Sequence, residues 1–443
     1  MNFQDLIYAK RDGGVLTEEQ IRWFINAFTK NEIPDEQAGS FLMAVFFQGL
    51  NKEELNVWTD AMIKSGEILD LSSVGKPTVD KHSTGGVGDK ISLPLCPLVA
   101  SFGAAVPQLS GRGLGTFGGT LDKMESVSGF NITLSNEKMI QQLKDVGVFI
   151  TAAGAGLAPA DRKMYSFRDV IGAVECIPLI ASSIMSKKIA EGTQSLVLDV
   201  KAGRGAFMKD FSKAKQLAET MVEIGNKAGV KTVALITQMD TPLGNAVGNA
   251  LEVSESIDVL NGKGPQDVIE ITLALAKEML QSAGINKDPA TGLKDGTALQ
   301  VWKKMIVAQG GNPDIEIPVA KQKENVVATK SGYITDLDAY AIGLSAWRLG
   351  AGRAKKEDAV SKTAGIICLA KEGDYVEKDQ VIAEVDSDKA TLELPAEESG
   401  TITLQAEEGD AVDVGQVVCL IDTSAENQSR SEETIHTNVK NEP

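Results

Sequence analysis

The sequence predicts an α/β protein in three parts: a helical domain, a larger α/β domain with Gly-rich phosphate loops, and a C-terminal β-rich, barrel-like module. Three observations predict it. Residues 1–66 carry capped, amphipathic helix patterns. Between about 78 and 120 a short strand, a Gly-rich loop and an apolar helix follow one another twice, which is α/β grammar with loops at strand C-termini. Beyond about residue 328 strand and turn text takes over and holds a repeat: 370–387 aligns with 406–423, 36 residues on, with eight of eighteen pairs identical. Two copies suit the intertwined halves of a small barrel; a solenoid needs three or more units.

Taken in order, Thr17-x-x-Gln20 is a capping box opening a helix to about Thr29, 35–49 carries a second apolar stripe, and Asn51-x-x-Glu54 caps a third stretch to about Gly66. Thr78–Asp80 reads as a strand entering the loop 81–89, with a helix over about 91–102. A strand at 105–109 enters the glycines at 111, 113, 115, 118 and 119, and a helix starts near Thr120. Strands follow at 146–151, 195–200 and 232–237, helices at 159–192 and 210–229, and two more helices between 265 and 310. The implied parts are a helical domain from 1–66 and 157–192, an α/β domain from 67–156 and 193–327, a β-rich module over 328–424, and a polar, disordered tail over 425–443.

Composition narrows the function. Of 443 residues 43% are hydrophobic and 24% charged, an ordinary globular balance. A net charge of -17 argues against nucleic acid or an anionic membrane as partner, since both demand a basic footprint. An acidic protein that binds an anion must build a local cationic pocket. Four scattered cysteines, Cys96, Cys176, Cys368 and Cys419, show no zinc spacing, and no apolar run approaches 18 residues, so a cytoplasmic protein is expected. There are two histidines, His82 and His436, the latter in the polar tail.

The loop from Ser83 to Ser92 presents backbone N–H groups and hydroxyls ahead of a helix, with Lys81 beside it as the needed cation. The second loop offers Ser110, Arg112 and Thr120. The glycines could serve tight turns alone, but two adjacent loops ending in hydroxyl residues favour a shared anion. Gly113-x-Gly115-x-x-Gly118 fits a dinucleotide fingerprint literally, yet the next strand ends in Ile150 and Thr151 where a ribose-binding acid belongs. Gly85–Lys90 does not supply a Walker loop.

The segments KHSTGGVGD (81–89), SGRGLG..GGTLDK.ES (110–126), Arg168-Asp169, PLIASSIMSKK (178–188), DVK.G.GAFMK (199–209), PLGNAVGNALEV (242–253) and LGAGRAKKED (349–358) resemble the thymidine and pyrimidine-nucleoside phosphorylases over roughly residues 1–385. The resemblance implies phosphorolysis of uridine, thymidine or deoxyuridine to free base and α-pentose 1-phosphate, a homodimer through the helical domain, and a cleft closed about hinges near 66–75 and 154–156. It implies Lys81, Ser83, Ser92, Ser110 and Thr120 for phosphate and Arg168, Ser183 and Lys187 for the pyrimidine. Arg168 and Lys187 would stabilise the departing base, and His82 would donate a proton to a base carbonyl. Ser183 and Lys187, four apart, share a helix face. Bland alternatives are a structural His82, a solvated Lys187, and an Arg168 paired with Asp169.

Departures from the family pattern are Thr116 for histidine, Phe117 for threonine, Ile-Gly-Ala at 171–173 and Ala153 for glutamine. Relatives bind potassium through positions matching Gly88, Leu243, Ala246 and Glu255 with a threonine at 90; here Lys90 stands there, and its ammonium is expected to replace the ion. No cofactor is expected to be required. The stretch EVDSDKATLELP (384–395) resembles a lipoyl-attachment hairpin, which makes Lys389 a modification candidate, though an unmodified hairpin lysine in a structural module is the favoured reading. The rivals to the main reading are a thymidine-restricted phosphorylase and a non-catalytic lipoyl-type carrier.

Overall fold

The computed structural model describes residues 2–113, 118–353, 355, 358–387, 400–405, 417 and 419–423. Thr116, Phe117, Lys389, most of the second repeat copy and the tail 425–443 lie outside these. Two units are separable, residues 1–390 and 391–443.

The first unit opens with α1 (Phe3–Arg11), α2 (Glu18–Thr29), α3 (Asp35–Gln48) and α4 (Lys52–Ile63). Both expected capping boxes form, Thr17 with Gln20 and Asn51 with Glu54. β1 (Val79–Ser83), α5 (Ser92–Ala100), β2 (Val106–Ser110), α6 (Thr120–Met124), α7 (Asn136–Asp145) and β3 (Val148–Ala152) follow. Then come α8 (Pro159–Val170), α9 (Ile177–Ala190), β4 (Ser195–Ala202), α10 (Phe211–Lys227) and β5 (Lys231–Gln238). The stretch to residue 308 adds β6 (Ala246–Val247), α11 (Asn249–Leu260), α12 (Gln266–Ser282), α13 (Ala290–Lys294) and α14 (Thr297–Ala308).

β1, β4 and β5 are parallel, with His82 opposite Leu198. β2 and β3 are also parallel, and a bridge from Thr78 to Ala105 sets β2 beside β1. The strands thus run β3-β2-β1-β4-β5. The chain leaves β1 for one side and later returns to its other side, so the C-terminal ends of β1, β2 and β4 frame a topological switch point, where open α/β sheets bind ligands. Continuous apolar strand text suits burial on both faces: Leu196, Val197 and Leu198 have no exposed surface. A second core packs α1–α4 against α8 and the start of α9 around Phe24, Phe28, Phe41 and Trp58. The connections between the helical and α/β regions lie side by side, with the Glu67 N–H donating to the Gly156 carbonyl at 2.9 Å.

The C-terminal strands β7 (Gln322–Val327), β8 (Gly332–Tyr333), β9 (Gly365–Cys368), β10 (Tyr375–Val376) and β11 (Val381–Ser387) are interrupted by α15 (Ala339–Ala346), which the β-rich reading omits. They form a four-stranded antiparallel sheet, β6-β9-β11-β7, and the pair β10-β8; among the described residues no closed barrel forms. The sheet borrows β6 from the α/β region, Val247 pairing with Ile366. The second unit shows one antiparallel pair, Thr401–Leu404 with Cys419–Asp422. Among the described residues no helix is long and apolar enough to cross a membrane.

Candidate active site

β1 runs on through Lys81, His82 and Ser83, so the first half of the segment read as a loop is strand, and Ser83 sits at its C-terminal end. The Gly85 N–H donates to the Ser83 hydroxyl at 3.0 Å, and that hydroxyl donates to the Asp89 carboxylate. Ser92 is the first residue of α5, and its hydroxyl accepts from Lys81 Nζ at 3.3 Å. Ser110 ends β2 and accepts from Gln108 Nε2 at 3.2 Å; Thr120 begins α6. The two loops are joined by Lys123, whose ammonium donates to the Asp89 carbonyl at 2.6 Å and pairs with Glu252 at 2.8 Å. Lys81, Ser83 and Ser110 thus stand toward the C-terminal ends of the neighbouring strands β1 and β2, and Ser92 and Thr120 at the starts of the helices that follow the two loops.

Lys81, named for phosphate, belongs to a buried charge ladder whose other members, Asp199 and Lys201, the motif reading assigned no role. Lys81, Asp199 and Lys201 have no exposed surface, with Asp199 Oδ2 at 3.7 Å from Lys81 Nζ and 2.8 Å from Lys201 Nζ. Burial by itself would raise the Asp89 carboxyl, but Lys201, Lys81, Lys123 and the Ser83 hydroxyl hold it well below the carboxylate range. An acidic chain thus concentrates lysines here. Lys81 and Asp89 fall inside the KHSTGGVGD text, Lys123 inside LDK and Asp199 and Lys201 inside DVK, which was the signal available.

The base-binding candidates sit on α8 and α9. Lys187 Nζ pairs with the buried Asp161 at 2.7 Å and lies 3.5 Å from the Ser183 hydroxyl, so the shared helix face is present. Lys187 is 38% exposed. Its neighbour Lys188 points the other way, to Asp80 at 2.7 Å, the Leu109 carbonyl at 3.0 Å and Glu191. Burial disfavours that charge, but Asp80 and Glu191 raise the Lys188 ammonium above its ordinary range. Lys188 thereby fastens α9 to β1 and β2 and fixes where Lys187 stands. The sequence reading missed it.

Arg168 is 1% exposed. It donates to the carbonyls of Ala173 (3.0 Å), Leu179 (3.1 Å) and Val174 (2.5 Å), and among the described residues it makes no ion pair with Asp169. Three of its five N–H donors hold the 173–179 turn, leaving one on each terminal nitrogen. His82 stands on β1 between Lys81 and Ser83. Burial, then Lys188, Lys187 and Lys81, push its imidazole well below the usual histidine range. A neutral ring has one N–H to offer as a hydrogen bond, not a full acidic proton.

The site expected for potassium is built around Lys90. Its ammonium, fully buried, donates to the Leu243 carbonyl at 2.7 Å, the Ala246 carbonyl at 3.0 Å and Glu255 Oε2 at 2.6 Å. Gly88, the fourth member, has φ +74, and a Cβ there would lie 2.5 Å from the Leu243 oxygen. Among the described residues no group of His, Cys, Asp and Glu is arranged to hold a metal.

Comparison with known proteins agrees with this geometry. Residues 75–301 match a model described as the glycosyl transferase family a/b domain, 4–66 its helical bundle domain, and 333–398 the pyrimidine nucleoside phosphorylase C-terminal domain. The chain is 53% identical over 372 residues to a thymidine phosphorylase of Mycobacterium tuberculosis, covering 84% of this chain and 87% of that one. It is 46% identical over 401 residues to a pyrimidine-nucleoside phosphorylase of Geobacillus stearothermophilus, covering 88% and 93%. The solved anthranilate phosphoribosyltransferase of Thermus thermophilus superposes with a TM-score of 0.55 over 69% of this chain and 99% of its own, at 17% identity, a likeness of fold. The chain therefore belongs to the thymidine and pyrimidine-nucleoside phosphorylase family.

Proposed function

We propose that the protein cleaves the N-glycosidic bond of pyrimidine nucleosides with inorganic phosphate, releasing the base and an α-pentose 1-phosphate. The observation that carries it is the convergence of two hydroxyl-bearing Gly loops and buried lysines at the switch point, one helix away from the partly open Lys187. Phosphate oxygen attacks the anomeric carbon as the bond to the ring nitrogen breaks, and the bonding pair leaves on the base. The proton of hydrogen phosphate ends on the base, so atoms and charge balance. Lys81, Ser83, Ser92, Ser110 and Thr120 hold phosphate. Lys187, with Ser183 and the two remaining donors of Arg168, meets the negative charge growing on the pyrimidine carbonyls, where fixed donors are most effective. His82 contributes a hydrogen bond from a neutral ring.

Lys90 fills the place of a monovalent cation, so no potassium is needed. The chain works as a homodimer through the helical region, where Val15 (67% exposed) and Phe47 (75%) leave apolar surface uncovered. The four cysteines are free, which suits a reducing cytoplasm. The test is base release from uridine, thymidine and deoxyuridine with and without phosphate. Cleavage of all three that depends on phosphate is expected. Restriction to thymidine would favour the narrower enzyme, and no cleavage at all would contradict the reading.

A further inference from the structure

We propose that Arg353 is a positioning residue for phosphate. Acting through Asp122, it holds the second Gly-rich loop, so the C-terminal part of the chain shapes a site whose phosphate contacts all come from the α/β region. The inference rests on the phosphorolysis reading above. Asp122 lies two residues after Thr120 and is 3% exposed. Its Oδ2 accepts the Gly113 N–H at 2.7 Å; its Oδ1 accepts from Arg112 at 3.2 Å and from Arg353 at 2.7 Å. Arg353, 5% exposed, also reaches the Gly113 carbonyl at 3.4 Å. Both backbone polar groups of Gly113 are therefore held by this pair.

The consequence follows from how the loop is built. Gly111, Gly113, Gly118 and Gly119 offer no side chains for packing, so hydrogen bonds carry more of the fastening of the loop there. Its ends are pinched together: the Leu121 N–H donates to the Gly111 carbonyl at 3.3 Å, and a Cβ on Gly119 would lie 2.0 Å from the Gly113 nitrogen. Ser110 precedes the pinch and Thr120 follows it, so the relation between these two hydroxyls is set by the Asp122 fastening. Arg353 is itself anchored, because Asn249 Nδ2 donates to the Ala351 carbonyl at 2.9 Å and the Ser361 carbonyl at 3.0 Å. Asn249 starts α11, whose Glu252 pairs with the loop-joining Lys123. Charge points the same way. With Arg353 removed, the buried Asp122 keeps, among the described residues, only the half-exposed Arg112 as paired counter-charge, next to a site for an anion. A lysine would supply the charge without the fork that spans Asp122 and Gly113.

The experiment compares the unmodified protein with Arg353→Met, Arg353→Lys, Asp122→Asn and the Arg353→Met/Asp122→Asn pair. It measures the dissociation constant of inorganic phosphate by calorimetry, KM for phosphate and for uridine, and thermal midpoints. Arg353→Met should raise the phosphate constants roughly 10-fold, the low end of what a lost hydrogen bond to a charged group costs, with KM for uridine at saturating phosphate unchanged. Arg353→Lys should recover part of the loss. Arg353→Met should add little in the Asp122→Asn background, since coupled residues are non-additive. Phosphate constants within about twofold of the unmodified protein, equal losses for both substrates, or full additivity would each overturn the proposal. If Arg353→Met does not fold, Arg353→Lys carries the test: a phosphate-specific rise supports the role and its absence refutes it. An unmodified protein that neither binds phosphate nor cleaves uridine would instead remove the proposed function, and this inference with it.

Discussion

Replacing Lys90 by methionine keeps most of the stem and removes the charge. Glu255, 8% exposed, then loses the one cation it pairs with among the described residues; its Oε1 stays fixed by the N–H groups of Asn245 (2.9 Å) and Ala246 (3.1 Å), so the carboxylate cannot turn away. The carbonyls of Leu243 and Ala246 lose their donor as well. At 2.6 Å and an effective dielectric of 20, the ion pair alone amounts to about 6 kcal/mol before desolvation is set against it. Breaking a buried pair from one side costs about 3–5 kcal/mol. Lys90→Met should therefore lower the thermal midpoint by many degrees and loosen the first Gly loop. Lys90→Thr opens room for an ion among the same oxygens. Its midpoint and activity should fall in sodium buffer and recover in potassium buffer at matched ionic strength, while the unmodified protein responds equally to both. A potassium-specific gain in the unmodified protein would refute the reasoning, and so would a Lys90→Met variant within about 0.5 kcal/mol of the original, the range of ordinary surface substitutions.

Lys187→Ala should lower kcat/KM on the order of 10²-fold with little change in stability, since its side chain is 38% exposed; near-normal kinetics would remove it from the mechanism. Gly66→Ala should destabilise the protein by about 1–3 kcal/mol and impair closure, because a Cβ there would lie 2.1 Å from the Gly156 carbonyl oxygen; an unchanged midpoint would show that the connections yield freely. His82 is held neutral by burial and three lysines, so its folded pKa lies below the unfolded value near ~6.5. The unfolded chain then binds the proton first, and this residue's contribution to stability is present above that value and lost as pH falls below it. NMR of the His82 ring should show no titration between about pH 8 and 6; a midpoint near ~6.5 would contradict the assigned environment.

The elements with local signals were legible. Thr17-x-x-Gln20 and Asn51-x-x-Glu54 announce helices because a cap and its reciprocal partner lie within four residues. The two strand–loop–helix units announce the strands β1 and β2 and the helices after them for a similar reason. α15 was hidden inside text that otherwise alternates like strands. β6 is two residues long and gains its identity from pairing with Ile366 and Ile367, more than a hundred residues away. The same distance conceals the electrostatics. Lys188 with Asp80, Lys123 with Glu252 and Arg353 with Asp122 are joined by the fold across 108, 129 and 231 residues. Lys90 was legible only because the family resemblance had already named its partners. The motif text put His82 beside Lys81, yet its protonation state depends on Lys187 and Lys188, which only the fold brings near.

The most direct test of the account follows the phosphate itself. Uridine or thymidine is incubated with the protein and inorganic phosphate, and phosphorus NMR records the product. The account predicts that base release and phosphate consumption rise together, with one α-pentose 1-phosphate formed per base. Free pentose released at the same rate with or without phosphate would show water as the acceptor and would contradict the assignment of both Gly loops.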